Sequence, residues 1–360
     1  MRKPILFIFL FSLCCTAVQA QQSLGGKPYS FSNPLNDNLA TARTVLPRID
    51  VATMRQAANL KDMKGEMLPA GQVFPVRLSP ENSGVWTTLP SGDRVWRLQL
   101  HVPDAPATSL YYDNFYLPEG ATLFVYNAEK THLIGSFGTH NNNESGQFAT
   151  EIIYTEDCVV EYYEPANVKK PGSFVITGVA NVYNAPHPPA NLRLTNPKCC
   201  GFGTSGTCNV NANCPEGNSW ADQKKSVARI LVKNGASQGW CSGALINNVA
   251  QDCKNYFLTA NHCGASATAA DKNQWVFYFN YQSAGCTNGA TEPTSNTITG
   301  CTMRSSSSNG ANSSVVQSDF LLVEFNTAIP ASYNVYYSGF DASGTGSNSG
   351  VGIHHPAGDI

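Results

Sequence analysis

Alternation is the clearest signal in the chain. In Asp93–Val102, Trp96, Leu98, Leu100 and Val102 fall on one parity while Arg97, Gln99 and His101 fall on the other. Successive strand side chains point to opposite faces, so this reads as a strand with one apolar face. Ala121–Tyr126, Ile152–Tyr154, Val159–Tyr163 and Phe174–Val182 read the same way, and Leu117-Pro118-Glu119-Gly120 supplies a turn ahead of the first of these. Together they predict an all-β unit over residues 70–184, arranged as a β-sandwich. Its His101, His132 and tyrosine-rich strands read as packing of a pleated surface. Residues 21–69 are polar and irregular, apart from one helix predicted over Val51–Leu68.

Pro186-His187-Pro188-Pro189 then predicts a stiff, extended spacer within a linker over 185–202. Beyond it, Ser226–Lys233, Trp240–Ile246, Tyr256–Ala260, Trp275–Tyr281, Phe320–Phe325 and Val351–Ile353 predict a second β-rich unit over 203–360. Gly235-Ala236-Ser237-Gln238-Gly239 matches the Gly-x-Ser-x-Gly nucleophile elbow. That motif needs a strand-to-helix turn. Trp240–Ile246 reads as a strand, so the segment is expected to be a hairpin turn.

Composition narrows the function classes. Lys+Arg number 23 and Asp+Glu 25, a net charge of −2. A nucleic-acid partner would call for a basic excess, so none is expected. Arg2 and Lys3, the apolar run Ile5–Phe11 and the small residues around Val18-Gln19-Ala20 form a secretory signal peptide pattern over 1–20. The run is too short to span a bilayer, so a secreted protein without an integral membrane segment is expected. Leu13, ahead of Cys14, stands where a lipoprotein signal would carry a small residue. Nine of the twelve cysteines lie between Cys199 and Cys301, which in an exported chain predicts disulfides with at least one cysteine there left over. There is no Cys-x-x-Cys pair, and His354 and His355 are adjacent and would face opposite sides. No metal and no cofactor are expected.

The sharpest chemistry is in Tyr256-Phe257-Leu258-Thr259-Ala260-Asn261-His262-Cys263. An apolar strand ends in a histidine beside a cysteine, and Cys241 lies on the preceding predicted strand. A Cys241–Cys263 bridge would tie the strands together and immobilise His262, as a general base requires. Asp319 begins the apolar run Phe320–Val323, a setting in which a carboxylate can be buried. Asp271 and Asp341, in loops rich in Ala or in Gly and Ser, are weaker candidates.

These residues, with Gly206–Val210, Cys214–Gly217, Ser242–Leu245, Ser318–Leu322 and Ile353–Pro356, resemble the trypsin-like secreted serine proteases of bacteria, and among them the lysyl endopeptidases. The resemblance runs from about Gly203 onward. It implies a chymotrypsin-like double β-barrel, with His262 as general base and Asp319 orienting it. It also implies a Cys214–Cys286 bridge and a late partner for Cys208. Cys253 and Cys301 fall outside that pattern, and a pairing between them is left open; Cys199 and Cys200 fall outside it too. More weakly, residues 70–184 resemble the propeptide region found ahead of such enzymes.

One part of the pattern is absent. No Gly-x-Ser-Gly segment follows Asp319, and Ser343, Ser347 and Ser349 sit in a Gly/Ser loop. In the resembled family His-His-Pro belongs early in the second barrel. The barrel is therefore expected to be incomplete here, with the nucleophilic serine and the lysine-selecting acidic residue beyond Ile360. The resulting expectation is a secreted serine endopeptidase precursor acting on protein or peptide substrates, held by its own propeptide. Its lysine preference is implied by the resemblance. Processing near Gly203 would follow Phe202, not a lysine, and Lys198 and Arg193 are the nearby basic alternatives. The rival expectation is a catalytically inactive relative that binds protein or glycan through its β-domains.

Overall fold

The structure is a computed structural model that describes residues 23–35, 39–62, 66–185, 202, 205–206, 208–252, 254–289, 293, 296–307 and 318–360. The signal peptide, the Pro-rich spacer, Cys199, Cys200, Gly203 and Cys253 lie outside the described residues. The chain is mostly β. Strands β1 (Arg43–Val45), β3 (Val85–Thr88), β4 (Arg94–His101), β6 (Thr122–Asn127), β7 (Leu133–Phe137) and β9 (Asp157–Glu164) form one six-stranded sheet. The other sheet is built from β2 (Leu68–Leu78), β5 (Thr108–Tyr116), β8 (Phe148–Ala149), β10 (Ser173–Asn181), β11 (Val227–Asn234), β12 (Ser237–Ile246), β13 (Tyr256–Thr259), β14 (Val276–Phe279), β15 (Asn296–Thr299), β16 (Cys301–Ser306) and β17 (Leu321–Phe325).

The two sheets close over one core in the N-terminal half. Trp96, Leu98 and Leu100 of β4, all fully buried, meet Tyr112 and Phe115 of β5 and Phe174, Ile176 and Val179 of β10. The alternating parity of β4 is thus its inward face. A second core, around Phe257, Trp275, Phe277, Leu321 and Val323, lies beneath β11–β14 and β17. A third cluster joins Tyr111 and Ala180 to Leu231, Trp240 and Tyr278, so residues from both halves share one apolar interior.

The long sheet crosses the division drawn at the spacer. Its order is β15-β14-β11-β12-β2-β10-β5-β8, which puts β2 between the two halves. β11 takes one edge of β12 along most of its length, from Ala244 to Ser237. The other edge is shared end to end: β2 pairs with Ser237–Trp240 and β13 with Gly243–Ile246, both antiparallel. Gly243 permits this approach, since a Cβ there would lie 2.3 Å from Phe257 Cε1 and 2.4 Å from the Leu258 carbonyl oxygen.

Several expectations need adjustment. The helix runs Val51–Asp62, and Leu68, expected at its end, instead begins β2. Val351–Ile353 forms no strand, and Ile152–Tyr154 contributes only the bridge from Ile153 to Thr108. The segment Gly235–Gly239 is a hairpin, with Gly235 at φ 58° turning β11 into β12.

Candidate active site

His262 lies in a short 3₁₀ turn, Asn261–Cys263, entered directly from β13. Three restraints fix that turn. The Cys241–Cys263 disulfide ties it to β12, with Cα atoms 6.1 Å apart. Thr259 Oγ1 donates to the Ser242 carbonyl oxygen at 2.7 Å, holding the end of β13 on β12. The Asn261 amide donates to the Asp319 carbonyl oxygen at 3.2 Å, joining the turn to the segment that leads into β17.

Asp319 answers with its side chain. Oδ1 accepts the His262 backbone amide at 2.9 Å and Oδ2 lies 2.5 Å from His262 Nδ1. Both carboxylate oxygens are therefore committed to one residue. Partial burial works against ionisation of Asp319, but the bonds from His262 outweigh it and hold the carboxyl below its usual range. The pair is more open than expected, with the side chains of His262 and Asp319 42% and 51% exposed. Asp319 precedes the buried strand and sits at its rim; Leu321 and Val323 supply the burial.

With Nδ1 on Asp319, the imidazole presents Nε2 as its second position. Nε2 lies 3.8 Å from Cys263 Sγ, a disulfide sulfur with no proton to give. No serine hydroxyl among the described residues bonds His262. Ser343, Ser347 and Ser349 are exposed and bond within their own loop.

The weaker candidates have structural roles. Asp271 caps the short helix Ala269–Lys272 through Thr268 and forms a buried ion pair with Lys233. Asp341 is exposed and accepts the Ser343 amide at 2.8 Å. Cys241, His262 and Cys263 cluster closely enough for a metal, but two of the three donors are already spent in a disulfide and cannot act as thiolates. His355 Nδ1 lies 2.9 Å from the Asp359 carbonyl oxygen, and burial pushes its pKa down to about 4.

The Cys214–Cys286 disulfide is present. A Cys253–Cys301 pair is not: Cys301 is a free, buried thiol whose Sγ lies 3.6 Å from the Lys272 carbonyl oxygen. Cys301 faces inward at the start of β16, so its burial serves packing. Cys158 is also free and buried, and Cys208 is free and exposed. Thr259 and Asn261 stand in the quoted motif, but the sequence reading gives neither the Thr259 hydroxyl nor the Asn261 backbone a role. A signal for Thr259 exists, since a strand-terminal threonine close before a candidate base is well placed to bond a neighbouring backbone.

Residues 202–360 match the family model of the lysyl endopeptidase C-terminal domain. A lysyl endopeptidase of Pseudomonas aeruginosa is 29% identical over 167 residues, which is 44% of this chain and 34% of that protein. The chain thus spans about a third of the length of the curated relative it matches. Among solved structures, a tail fiber protein of an E. coli phage aligns over 77% of this chain and 39% of its own, at 9% identity and a TM-score of 0.20; a likeness that slight carries no argument. The region that holds His262, Asp319 and both disulfides is related to the lysyl endopeptidases.

Proposed function

We propose that the protein is a secreted serine endopeptidase precursor that cleaves peptide bonds after lysine, with the N-terminal β-unit as its propeptide. The observation that carries this reading is the His262–Asp319 pair, Nδ1 to carboxylate at 2.5 Å on a disulfide-fixed turn. In this reading a serine hydroxyl, supplied from outside the 360 residues, attacks the scissile carbonyl. His262 Nε2 takes its proton and returns it to the leaving amine. Asp319 fixes the tautomer that leaves Nε2 as the acceptor, and it stabilises the imidazolium formed on proton transfer. Water then cleaves the acyl-enzyme by the same route in reverse. No metal or cofactor is required. The lysine preference rests on the name of the relative, and the export on the leader pattern and the disulfides.

The test is the product of the complete reading frame, assayed on peptides that carry lysine, arginine or leucine before the scissile bond. Hydrolysis confined to the lysine peptide, blocked by a serine-directed reagent and lost in His262→Ala, is the expected result. A complete product with no hydrolysis, or with hydrolysis unaffected by His262→Ala, overturns the reading. The 360-residue stretch alone is expected to be inactive.

A further inference from the structure

The loop that follows His262 rests on a buried cation. Past the turn Asn261–Cys263 the chain runs through residues 264–268 into the short helix Ala269–Lys272. The Asn261 carbonyl oxygen accepts the amides of Gly264 at 3.2 Å and Ala265 at 3.0 Å, so turn and loop share one hydrogen-bonded knot. Lys272 Nζ donates to the Ala265 carbonyl oxygen at 3.1 Å and also to that of Ala267. Lys272 is only 3% exposed, and its ammonium lies 5.9 Å from the centre of the Trp275 ring.

Carbonyl oxygens, and not a carboxylate, hold that ammonium. The neighbouring Asp271 is spent on Lys233, on the Thr268 hydroxyl and on the Gly235 amide. Burial pushes the pKa of Lys272 down, and an apolar side chain could fill the same space without burying a charge. What the ammonium supplies is a donor for two carbonyl groups that the loop leaves outside any strand or helix ladder. The backbone of Lys272 makes a second tie: its carbonyl oxygen accepts the Trp275 amide at 3.3 Å and faces Cys301 Sγ at 3.6 Å. Cys301 opens β16, which pairs with β17 from Cys301 opposite Phe325 to Ser306 opposite Leu321. Asp319 precedes β17 at the Leu321 end, so this second tie braces the strand pair and not the carboxylate itself.

We propose that Lys272 is a positioning residue of the His262–Asp319 pair, its buried ammonium fixing the loop from which the His262 turn takes its place. The proposal rests on the serine-protease reading. A general base must be held within hydrogen-bond reach of the proton it takes, and a misplacement of about 1 Å can cost about 10²-fold in rate. The His262 side chain is half-exposed, so little packing holds the ring and its backbone must do so. The Cys241–Cys263 disulfide fixes that backbone from the β12 side. Lys272 fixes it from the loop side.

The test reads the pair by NMR in the 360-residue chain. One signal is the Nδ1 proton of His262, shared with Asp319 Oδ2; the other is exchange of the His262 amide, which Asp319 Oδ1 accepts. Lys272→Met keeps an apolar stem and removes the donor. Lys272→Gln, neutral and one bond shorter, decides alone if Lys272→Met does not fold. In these variants the Nδ1 proton is expected to broaden and the His262 amide to exchange at least about tenfold faster by local opening, while Ile230 and Leu231 in β11 keep their rates. In the complete product, kcat and kcat/KM should fall together by up to about 10²-fold with KM unchanged. Unchanged His262 signals in a folded variant overturn the proposal, as does a uniform acceleration of all amides, which is lost stability alone. An active product whose kcat Lys272→Met or Lys272→Gln leaves unaltered overturns it too, and leaves the protease reading standing. The NMR signals need no hydrolysis, so an inactive complete product would overturn that reading while they still decide whether Lys272 places the pair.

Discussion

His262 owes its tautomer to one neighbour, and that dependence fixes what substitution should do. In the serine endopeptidase proposed above, Asp319→Asn can still accept the backbone amide of His262, but its amide nitrogen can donate to Nδ1 and leave the ring proton on Nε2. Activity is expected to fall about 10⁴-fold in kcat, by the behaviour of the triad template. Asp341→Asn keeps an acceptor for the Ser343 amide and should leave kcat unchanged. Steady-state kinetics of the two variants side by side check this, and the reverse ranking would reassign the carboxylate. A second residue-scale prediction concerns His132. Its Nδ1 accepts the Tyr154 amide at 3.1 Å, its ring stacks on that of Tyr154, and burial pushes its pKa down from 6.5 to about 4. The unfolded chain therefore binds a proton here that the folded chain refuses between those values. Stability should fall as pH drops from about 6.5 towards 4 and level off below, with His355 contributing in the same window. Urea midpoints across that range test this, and His132→Phe should flatten part of the slope. His262 stands out in the sequence as a strand-terminal histidine beside a cysteine, a local pattern, whereas Asp319 is reached through the resemblance to the lysyl endopeptidases. The half-exposure of Asp319 is not legible there, since it depends on how far the carboxylate stands from the strand it precedes.

At the scale of elements, legibility follows burial on one face or two. β4 alternates because one side is core, and its pattern marks it nearly to the residue. β5, Thr108–Tyr116, is buried on both faces along Thr108–Tyr112 and carries no such period, so nothing in the pattern announces it. β2 contains Pro69, Gly71 and Pro75, residues that ordinarily argue against a strand, and its sequence reads as a helix tail and a domain boundary. Yet β2 is the seam of the long sheet. The two disulfides also act at this scale. Cys241–Cys263 closes a loop with a sequence separation of 22, and such a staple contributes about 3 kcal/mol. Peptide mapping under non-reducing conditions should recover Cys241–Cys263 and Cys214–Cys286, with Cys158 and Cys301 alkylated only after unfolding. Reduction without denaturant should lower the thermal midpoint of the C-terminal half. Free Cys241 and Cys263 in the native protein would remove the restraint that positions His262.

Taken whole, the molecule is divided by sequence and joined by hydrogen bonds. Gln274 Nε2 donates to the Tyr112 carbonyl oxygen at 2.9 Å, Asn273 Nδ2 to Gln147 Oε1 at 2.9 Å, and Thr297 Oγ1 to Glu151 Oε1 at 2.6 Å, all between the two halves. A cut introduced between Ala185 and Phe202, by an inserted recognition site for a specific protease, should therefore leave the halves co-eluting in native gel filtration. Separation without denaturant would mean that the shared sheet and its cross-bonds are weaker than their number implies. Sequence patterns of short range locate both halves but not the pairing of Gln72 with Ser237, because nothing in a local window records a partner that distant.

That distance also sets a schedule. At ribosomal rates of about 5–20 residues per second, the residues that pair with β2 from β12 are made roughly 10–30 seconds after β2 itself. β10, which covers the opposite side of β2, is finished well before then. During the interval the nascent N-terminal half carries β2 as an open strand edge, the kind of surface on which chains aggregate. Pro69, which later faces Gly239, offers no amide to a stray partner. When β12 emerges it meets a template already built, so the slowest pairing in the fold closes onto an edge that has been waiting for it.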